Sequence, residues 1–181
     1  GYDVIIVETV GVGQSEIEVA DMVDMFMLLL LPGSGDELQG IKKGIVELAD
    51  LVIVNKADGD LFTQAKRVRS DYSAALRMLH PPTSHWQPKV ITCSALKNEG
   101  IDTVWDTATS FEAIMQDSGQ LEKKRSTQAV SWMWKEIRET LINRFAHNKE
   151  VSEKIIGVEQ QVQSGSKSPT QAATELIAAA Q

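Results

Sequence analysis

Asn55-Lys56-Ala57-Asp58 follows directly on the apolar run Val52-Ile53-Val54. An aspartate just past the tip of a buried strand can accept two hydrogen bonds from one edge of guanine, from the ring N–H and the exocyclic amino group. Adenine offers no such pair of donors, and charge-assisted bonds in a fork are both strong and selective. The Lys56 stem can lie across a flat base, and Asn55 can tie neighbouring loops together. Taken alone, the same four residues are also an ordinary Asn/Asp-rich turn between strand and helix. A second segment, Thr92-Cys93-Ser94-Ala95-Leu96, also follows an apolar run. The small Ser94 and Ala95 let a backbone N–H approach the guanine carbonyl oxygen, although Ser94 can equally cap a helix. Upstream, Val4-Ile5-Ile6-Val7 runs into Glu8-Thr9-Val10-Gly11. A carboxylate at the end of a buried strand is where a nucleotide-bound Mg²⁺ is held, directly or through water. Gly11 would let the backbone approach a terminal phosphate closely.

These residues need a scaffold, and the chain alternates the patterns that build one. Val4–Val7 reads as a short buried strand, Gln14–Met22 as a short amphipathic helix, and Met25–Leu31 as a strand covered on both faces. A loop at Pro32–Gly35 leads to a helix over Glu37–Ala49, and Leu51–Val54 reads as the next strand. Apolar residues at helical spacing predict a helix over Asp60–Leu79, ended by Pro81 and Pro82; Lys89–Thr92 is a fourth strand and Gly100–Met115 a helix. Strand–helix alternation means a parallel sheet flanked by helices, which places both base-reading segments at the carboxyl ends of strands, where α/β sheets bind ligands. Around Ser118-Gly119 the character changes. Long helices follow over Gln120–Phe145 and Val151–Val162, and Ser168 or Thr170 starts a last one to Ala180. The expected organisation is an α/β, P-loop-NTPase-type domain over residues 1–117, lacking its N-terminal part, and an all-helical C-terminal appendage over 118–181.

Composition narrows the classes. Of 181 residues, 43% are hydrophobic and 24% charged, with a net charge of −7. That balance, without a basic block, argues against nucleic acid as a partner. The longest apolar run is too short to cross a membrane. Cys93 is the one cysteine, so no internal disulfide forms and a reducing compartment fits. The chain opens at Gly1 three residues before an apolar strand, so its true N-terminus, with any targeting segment, is expected to lie upstream. His80, His85 and His147 are scattered without metal-site spacing, and Lys123-Lys124-Arg125 reads as a solvated face.

The two base-reading segments together resemble the guanine-specificity motifs of GTPases. Glu8 stands where most GTPases have aspartate. With the run from Glu8 to Glu16, this resembles the metallochaperone (SIMIBI) group. Val19-Ala20-Asp21-Met22-Val23-Asp24, the run Gly35 to Gly44 and Trp132-Met133-Trp134 resemble the MeaB and methylmalonic aciduria type A branch. The resemblance covers the whole chain and is strongest from Tyr2 to Asp60. It implies a GTP-binding, GTP-hydrolysing chaperone of methylmalonyl-CoA mutase, which loads and protects that enzyme's adenosylcobalamin. It implies GTP or GDP with Mg²⁺ as ligands, and cobalamin as the partner's cargo only. It assigns Asp36, Gln39 and Lys42 to a switch loop that responds to nucleotide and mutase. By analogy, Gln14 and Glu16 are candidates to orient the attacking water, so Glu8, Gly11 and Gln14 form the expected catalytic side. Asn55, Lys56, Asp58, Ser94, Ala95 and Leu96 form the nucleotide-binding side. Relatives act in the mitochondrial matrix in animals and in the cytoplasm in bacteria, and they are homodimers through helical appendages. On the long helix, Trp134 lies on an apolar stripe with Val130, Ile137, Leu141 and Phe145. Trp132 lies about 200° away, which gives two apolar faces.

No G-x-x-x-x-G-K-S/T segment occurs; Gly11-Val12-Gly13-Gln14-Ser15 has the glycines without the lysine. Phosphoryl transfer depends on that loop, its lysine and Mg²⁺, so hydrolysis is expected of the intact protein and not of this chain alone. Two alternatives stay open. One is a non-enzymatic module that binds a partner or dimerises. The other is a metallochaperone GTPase serving a different metalloenzyme, which a His- or Cys-rich tract would favour. An amino-acid transport ATPase is disfavoured because Asp58 selects guanine over adenine.

Overall fold

A computed structural model describes residues 1–9, 15–33, 43–80 and 85–180. Three parallel strands, β1 (Met27–Leu30), β2 (Leu51–Val54) and β3 (Lys89–Thr92), form a sheet in that order. The register pairs Leu30 with Val54 and Val54 with Thr92, so the three strands end on one rung. β2 is central and every one of its residues is buried, the burial on both faces that a parallel strand requires. On one face Val52 and Val54 join Ala65, Tyr72 and Leu76 of α3 (Phe62–Leu79). On the other, Leu51 and Ile53 meet Cys93, with Ile101 and Val104 of α4 (Ile101–Asp117) packed against them. Each fully buried aliphatic side chain contributes roughly 1.5–3 kcal/mol, so β2 is the strand that fixes the others. Short helices α1 (Ser15–Ala20) and α2 (Lys43–Leu48) lie on either side of β1 in sequence. Parallel α/β architecture followed by helices is therefore what the sequence pattern implied.

The expected strand over Val4–Val7 is not formed. Ile5 is 78% and Ile6 86% exposed, and no described strand pairs with them. A strand exists through ladder bonds to a neighbour, and an apolar run without one stays open. The expected helix over Glu37–Ala49 is described only from Lys43 onward.

The chain divides into two compact units, Gly1–Gln128 and Ala129–Gln181. The long helix α5 (Gln120–Ala146) begins within the first unit. There the expected solvated face is replaced by an ionic clamp. The Lys124 ammonium donates to the Asp24 carbonyl at 2.7 Å and lies 3.5 Å from the Asp50 carboxylate. Arg125 makes a two-pronged contact with Asp24, at 2.8 and 2.6 Å. Gln128 donates to the Val23 carbonyl at 2.9 Å. Asp50 also accepts the Phe26 N–H at 2.9 Å, while its own carbonyl accepts the Trp86 indole N–H at 2.8 Å. The amino-terminal ends of β1 and β2 and the start of α5 thus share one polar knot. In the second unit α6 (Lys149–Gln163) and α7 (Pro169–Ala179) bury Val151, Val158 and Ala172. Ser168 caps α7 in a reciprocal box with Gln171, with Pro169 at the first helical position. Of the two start positions the sequence left open, Ser168 is the one used. Among the described residues no helix is long and apolar enough to cross a membrane.

The two aspartates of the clamp titrate in opposite senses. The Arg125 hydrogen bond holds the Asp24 carboxyl below its ordinary value. Burial pushes the Asp50 carboxyl up, against the pull of Lys124 and the Phe26 N–H. A depressed folded-state pKa contributes stability above the unfolded value, lost as pH falls through the folded one; a raised pKa acts in reverse and favours the fold at low pH. Asp24→Asn is therefore expected to lower the thermal midpoint at pH 7 by about 1–3 °C, since the pair is half exposed. The deficit should shrink as pH falls from the ordinary carboxylate range through the lower Asp24 value. Thermal scans of both proteins from pH 7 to pH 3 check this, and a pH-independent deficit contradicts it.

Candidate functional site

The common end of β2 and β3 brings the two base-reading segments side by side. The Asn55 N–H donates to the Leu30 carbonyl at 2.9 Å, and the Cys93 N–H to the Val54 carbonyl at 2.9 Å, so both chains leave the sheet still paired. The Ala57 N–H then donates to the Cys93 carbonyl at 2.9 Å. Across this junction the Asn55 side-chain carbonyl accepts the Lys56 N–H at 2.8 Å and the Ala95 N–H at 3.0 Å, with the Cys93 thiol at 3.6 Å. Asn55 therefore ties the two loops together. Three converging donors fix which end of its amide faces them. Lys56 sits at φ 57°, a left-handed conformation that few residues other than glycine adopt. The Asn55–Lys56 bond contributes to holding it there, and the Lys56 side chain is left in solvent.

Asp58 is oriented by a relay. The Lys97 N–H donates to the Ser94 hydroxyl at 3.2 Å, and that hydroxyl donates in turn to the Asp58 carboxylate. Ser94 is almost fully buried, so its hydroxyl is not free to rotate into water. Engaging one Asp58 oxygen from the protein side turns the carboxylate as a unit. The segment returns on itself through a reciprocal pair, Ser94 N–H to Glu99 carbonyl at 2.9 Å and Glu99 N–H to Ser94 carbonyl at 3.1 Å. Ala95 and Leu96 stand at the tip, and Leu96 is 89% exposed beside the polar junction. An exposed leucine in the same loop as these polar groups suits a flat heterocycle with polar edges. Burial raises the Cys93 thiol above its ordinary value, so it serves as a small packed group.

The structure brings Asn55, Lys56, Asp58, Ser94, Ala95 and Leu96 into one locus. Glu8 lies exposed in the unpaired segment 1–9. Gly11, Gln14, Asp36, Gln39 and Lys42 lie outside the described residues. Glu16 belongs to α1. Among the described residues no cluster of three or more His, Cys, Asp or Glu side chains is placed to hold a metal ion. One detail differs from the sequence reading. The Ala95 N–H is committed to Asn55 at 3.0 Å, so the tip holds the loops together at that amide. Lys97, Glu99 and Gly100 were not singled out by sequence. Their signal was the Asn98-Glu99-Gly100 turn chemistry directly before a helix.

A family model described as "Methylmalonyl Co-A mutase-associated GTPase MeaB" matches residues 1–150. The chain is 51% identical over 179 residues to a mouse protein named "Methylmalonic aciduria type A homolog, mitochondrial", covering 99% of this chain and 43% of that protein. It is 49% identical over 150 residues to "GTPase ArgK" of Escherichia coli, covering 83% of this chain and 45% of that one. A solved structure titled "Crystal structure of LAO/AO transport system kinase" superposes with a TM-score of 0.77 at 41% identity, over 97% of this chain and 56% of that one. The chain spans about half the length of the curated relatives it matches.

The junction itself can be tested without any ligand. Asn55→Ala removes the acceptor of two backbone N–H groups and is expected to cost about 1–2 kcal/mol of stability. Amide exchange at Ala95 should accelerate on the order of tenfold, while amides in β2 slow-exchange as before apart from the global loss. Unchanged protection at Ala95 in hydrogen-exchange spectra would show that Asn55 does not hold the loop.

Proposed function

This chain belongs to the MeaB family of methylmalonyl-CoA mutase-associated GTPases, and on that premise we propose that it supplies the guanine-reading half of a GTP-hydrolysing chaperone. The observation that carries the reading is the relay from the Lys97 N–H through the Ser94 hydroxyl to Asp58, set beside the Asn55 tie. On this reading Asp58 is the fork acceptor for the ring N–H and amino group of guanine. Asn55 braces the pocket, Lys56 covers one face of the base, and Leu96 contributes apolar contact. Selectivity arises because adenine would leave the carboxylate facing an acceptor nitrogen, an unpaired arrangement that costs far more than a lost contact.

Mg²⁺ is held in nucleotide sites by one or two carboxylates together with phosphate oxygens. Glu8, an exposed hard-oxygen donor at the end of the 4–7 run, fits that role in type, directly or through water. The ion would supply charge neutralisation at the phosphates. Gly11 and Gln14 belong to the phosphate side of the proposal, and Asp36, Gln39 and Lys42 to a segment that senses nucleotide and partner. The partner proposed is methylmalonyl-CoA mutase, with cobalamin as its cargo. The mouse relative is named mitochondrial, which favours a mitochondrial setting, and the bacterial relatives favour a cytoplasmic one; the matrix is the compartment proposed for an animal-type protein.

The second unit offers a surface for self-association. Trp132, Met133, Ile137 and Leu141 line an open apolar hollow on α5, and Trp134 and Val130 are also about half exposed. Trp132, which the sequence set apart from the stripe of Ile137 and Leu141, shares this hollow with both, so these side chains form one exposed apolar surface. Joined to the habit of the family, this favours a homodimer through the helical unit.

Two outcomes are expected. The full-length protein should hydrolyse GTP slowly, with turnover rising about tenfold or more on adding the mutase, whereas this chain alone should release no phosphate above buffer. Phosphate-release assays with and without the mutase decide it, and turnover by the chain alone, or indifference to the mutase, contradicts the proposal. Trp132→Ala should shift mass toward the monomer in light scattering, with the aromatic anchor worth about 2 kcal/mol or more to the interface; an unchanged mass removes the homodimer reading.

A further inference from the structure

Gly100 is the residue on which the return of the base-reading loop turns. It stands at φ 75° directly after Glu99, which closes the loop on Ser94, and directly before α4. A helix normally begins from an extended residue whose side chain caps it. Gly100 makes no side-chain cap, and its left-handed conformation serves the loop rather than the helix. Space points the same way. A Cβ at this position would stand 2.8 Å from the Thr92 carbonyl oxygen and 3.4 Å from the Cys93 Cα and Cβ. Thr92 is the last residue of β3, in register with Val54 of the fully buried β2. The strand is the rigid side of that contact, so the loop must be the side that gives.

We infer that Gly100 is a positioning residue for base recognition. By letting the chain pass against the Thr92 carbonyl, it closes the 94–99 loop and so sets the Ser94 hydroxyl on Asp58 and the Ala95 N–H on Asn55. This role rests on the guanine-reading function proposed above. Any side chain at Gly100 carries two penalties, a strained φ and a backbone clash. Both are relieved by moving Glu99 and, through its paired hydrogen bonds, Ser94. The consequence falls on the orientation of Asp58 rather than on the sheet.

The test compares GDP with inosine diphosphate, which keeps the ring N–H and carbonyl of guanine and lacks only the amino group that Asp58 would bind. The ratio of the two dissociation constants reads the orientation of the carboxylate, and a lower folded fraction scales both constants equally. The unaltered protein is expected to prefer GDP by about tenfold, as befits one charge-assisted hydrogen bond. Gly100→Ala should reduce that preference to about twofold or less, with GDP weakened more than inosine diphosphate. Gly119→Ala is the matched control. Gly119 shares the left-handed φ at 68° but has open space around its Cβ position, so its variant should keep the full preference. Should Gly100→Ala not fold, Glu99→Pro replaces it; that change removes the Glu99 N–H from the loop closure at an exposed position and should lower the preference likewise. Equal weakening of both nucleotides in the variant overturns the role of Gly100 and leaves the guanine reading standing. Failure of the unaltered protein to bind GDP, or to prefer it, overturns the guanine reading itself and this role with it.

Discussion

Leu30, Val54 and Thr92 share one rung of a parallel sheet, and the geometry of the site depends on that register. Two loops from distant parts of the sequence leave the same edge at the same height. Their first residues continue the ladder, through Asn55 to Leu30 and Cys93 to Val54. A slip by one residue would turn every side chain of the slipped strand to the other face. β2 resists such a slip because its alternate residues fill two separate apolar clusters. The core is therefore what brings Asn55 within 3.0 Å of Ala95 across forty residues of sequence.

On that base the loops carry local strain. Lys56 and Asn98 both have left-handed backbones, at φ 57° and 55°. Asparagine tolerates this conformation and lysine does not favour it. Strain of this kind persists where surrounding bonds over-determine it, and it concentrates at functional sites. At Lys56 the determining bonds come from the Asn55 side chain and from the Ala57 N–H to Cys93. The result is a carboxylate and an amide held in fixed relation by bonds within the protein; preorganisation of this kind lowers the ordering cost of binding a ligand.

Much of this was legible in the chain. The runs Leu51–Val54 and Lys89–Thr92 read as strands because they are short, apolar and β-branched, and the structure has both at those bounds. That Asn55, Asp58 and Ser94 meet was legible because two polar segments follow neighbouring strands of one parallel sheet, and the structure joins them there. Other features depend on long-range partners that no local pattern encodes. Lys124 and Arg125 look like solvated charges until Asp24, 100 and 101 residues away, and Asp50 are brought beneath them by the fold. Val4–Val7 shows the converse. Its composition is that of a strand, but pairing is a property of two segments, and no described strand pairs with it. The sequence pattern makes Gly100 the first residue of a helix, and only the Thr92 carbonyl reveals why no side chain fits there.

The central claim is that Asp58, set by Ser94 and beside Asn55, selects guanine. Displacement of a fluorescent GDP from this chain by unlabelled GDP and by ADP tests it most directly, run in parallel on Asp58→Asn. GDP is expected to displace the probe and ADP to fail by at least about a hundredfold, with the Asn variant losing that discrimination. Equal displacement by GDP and ADP, or a variant that discriminates as well as the unaltered chain, would contradict it.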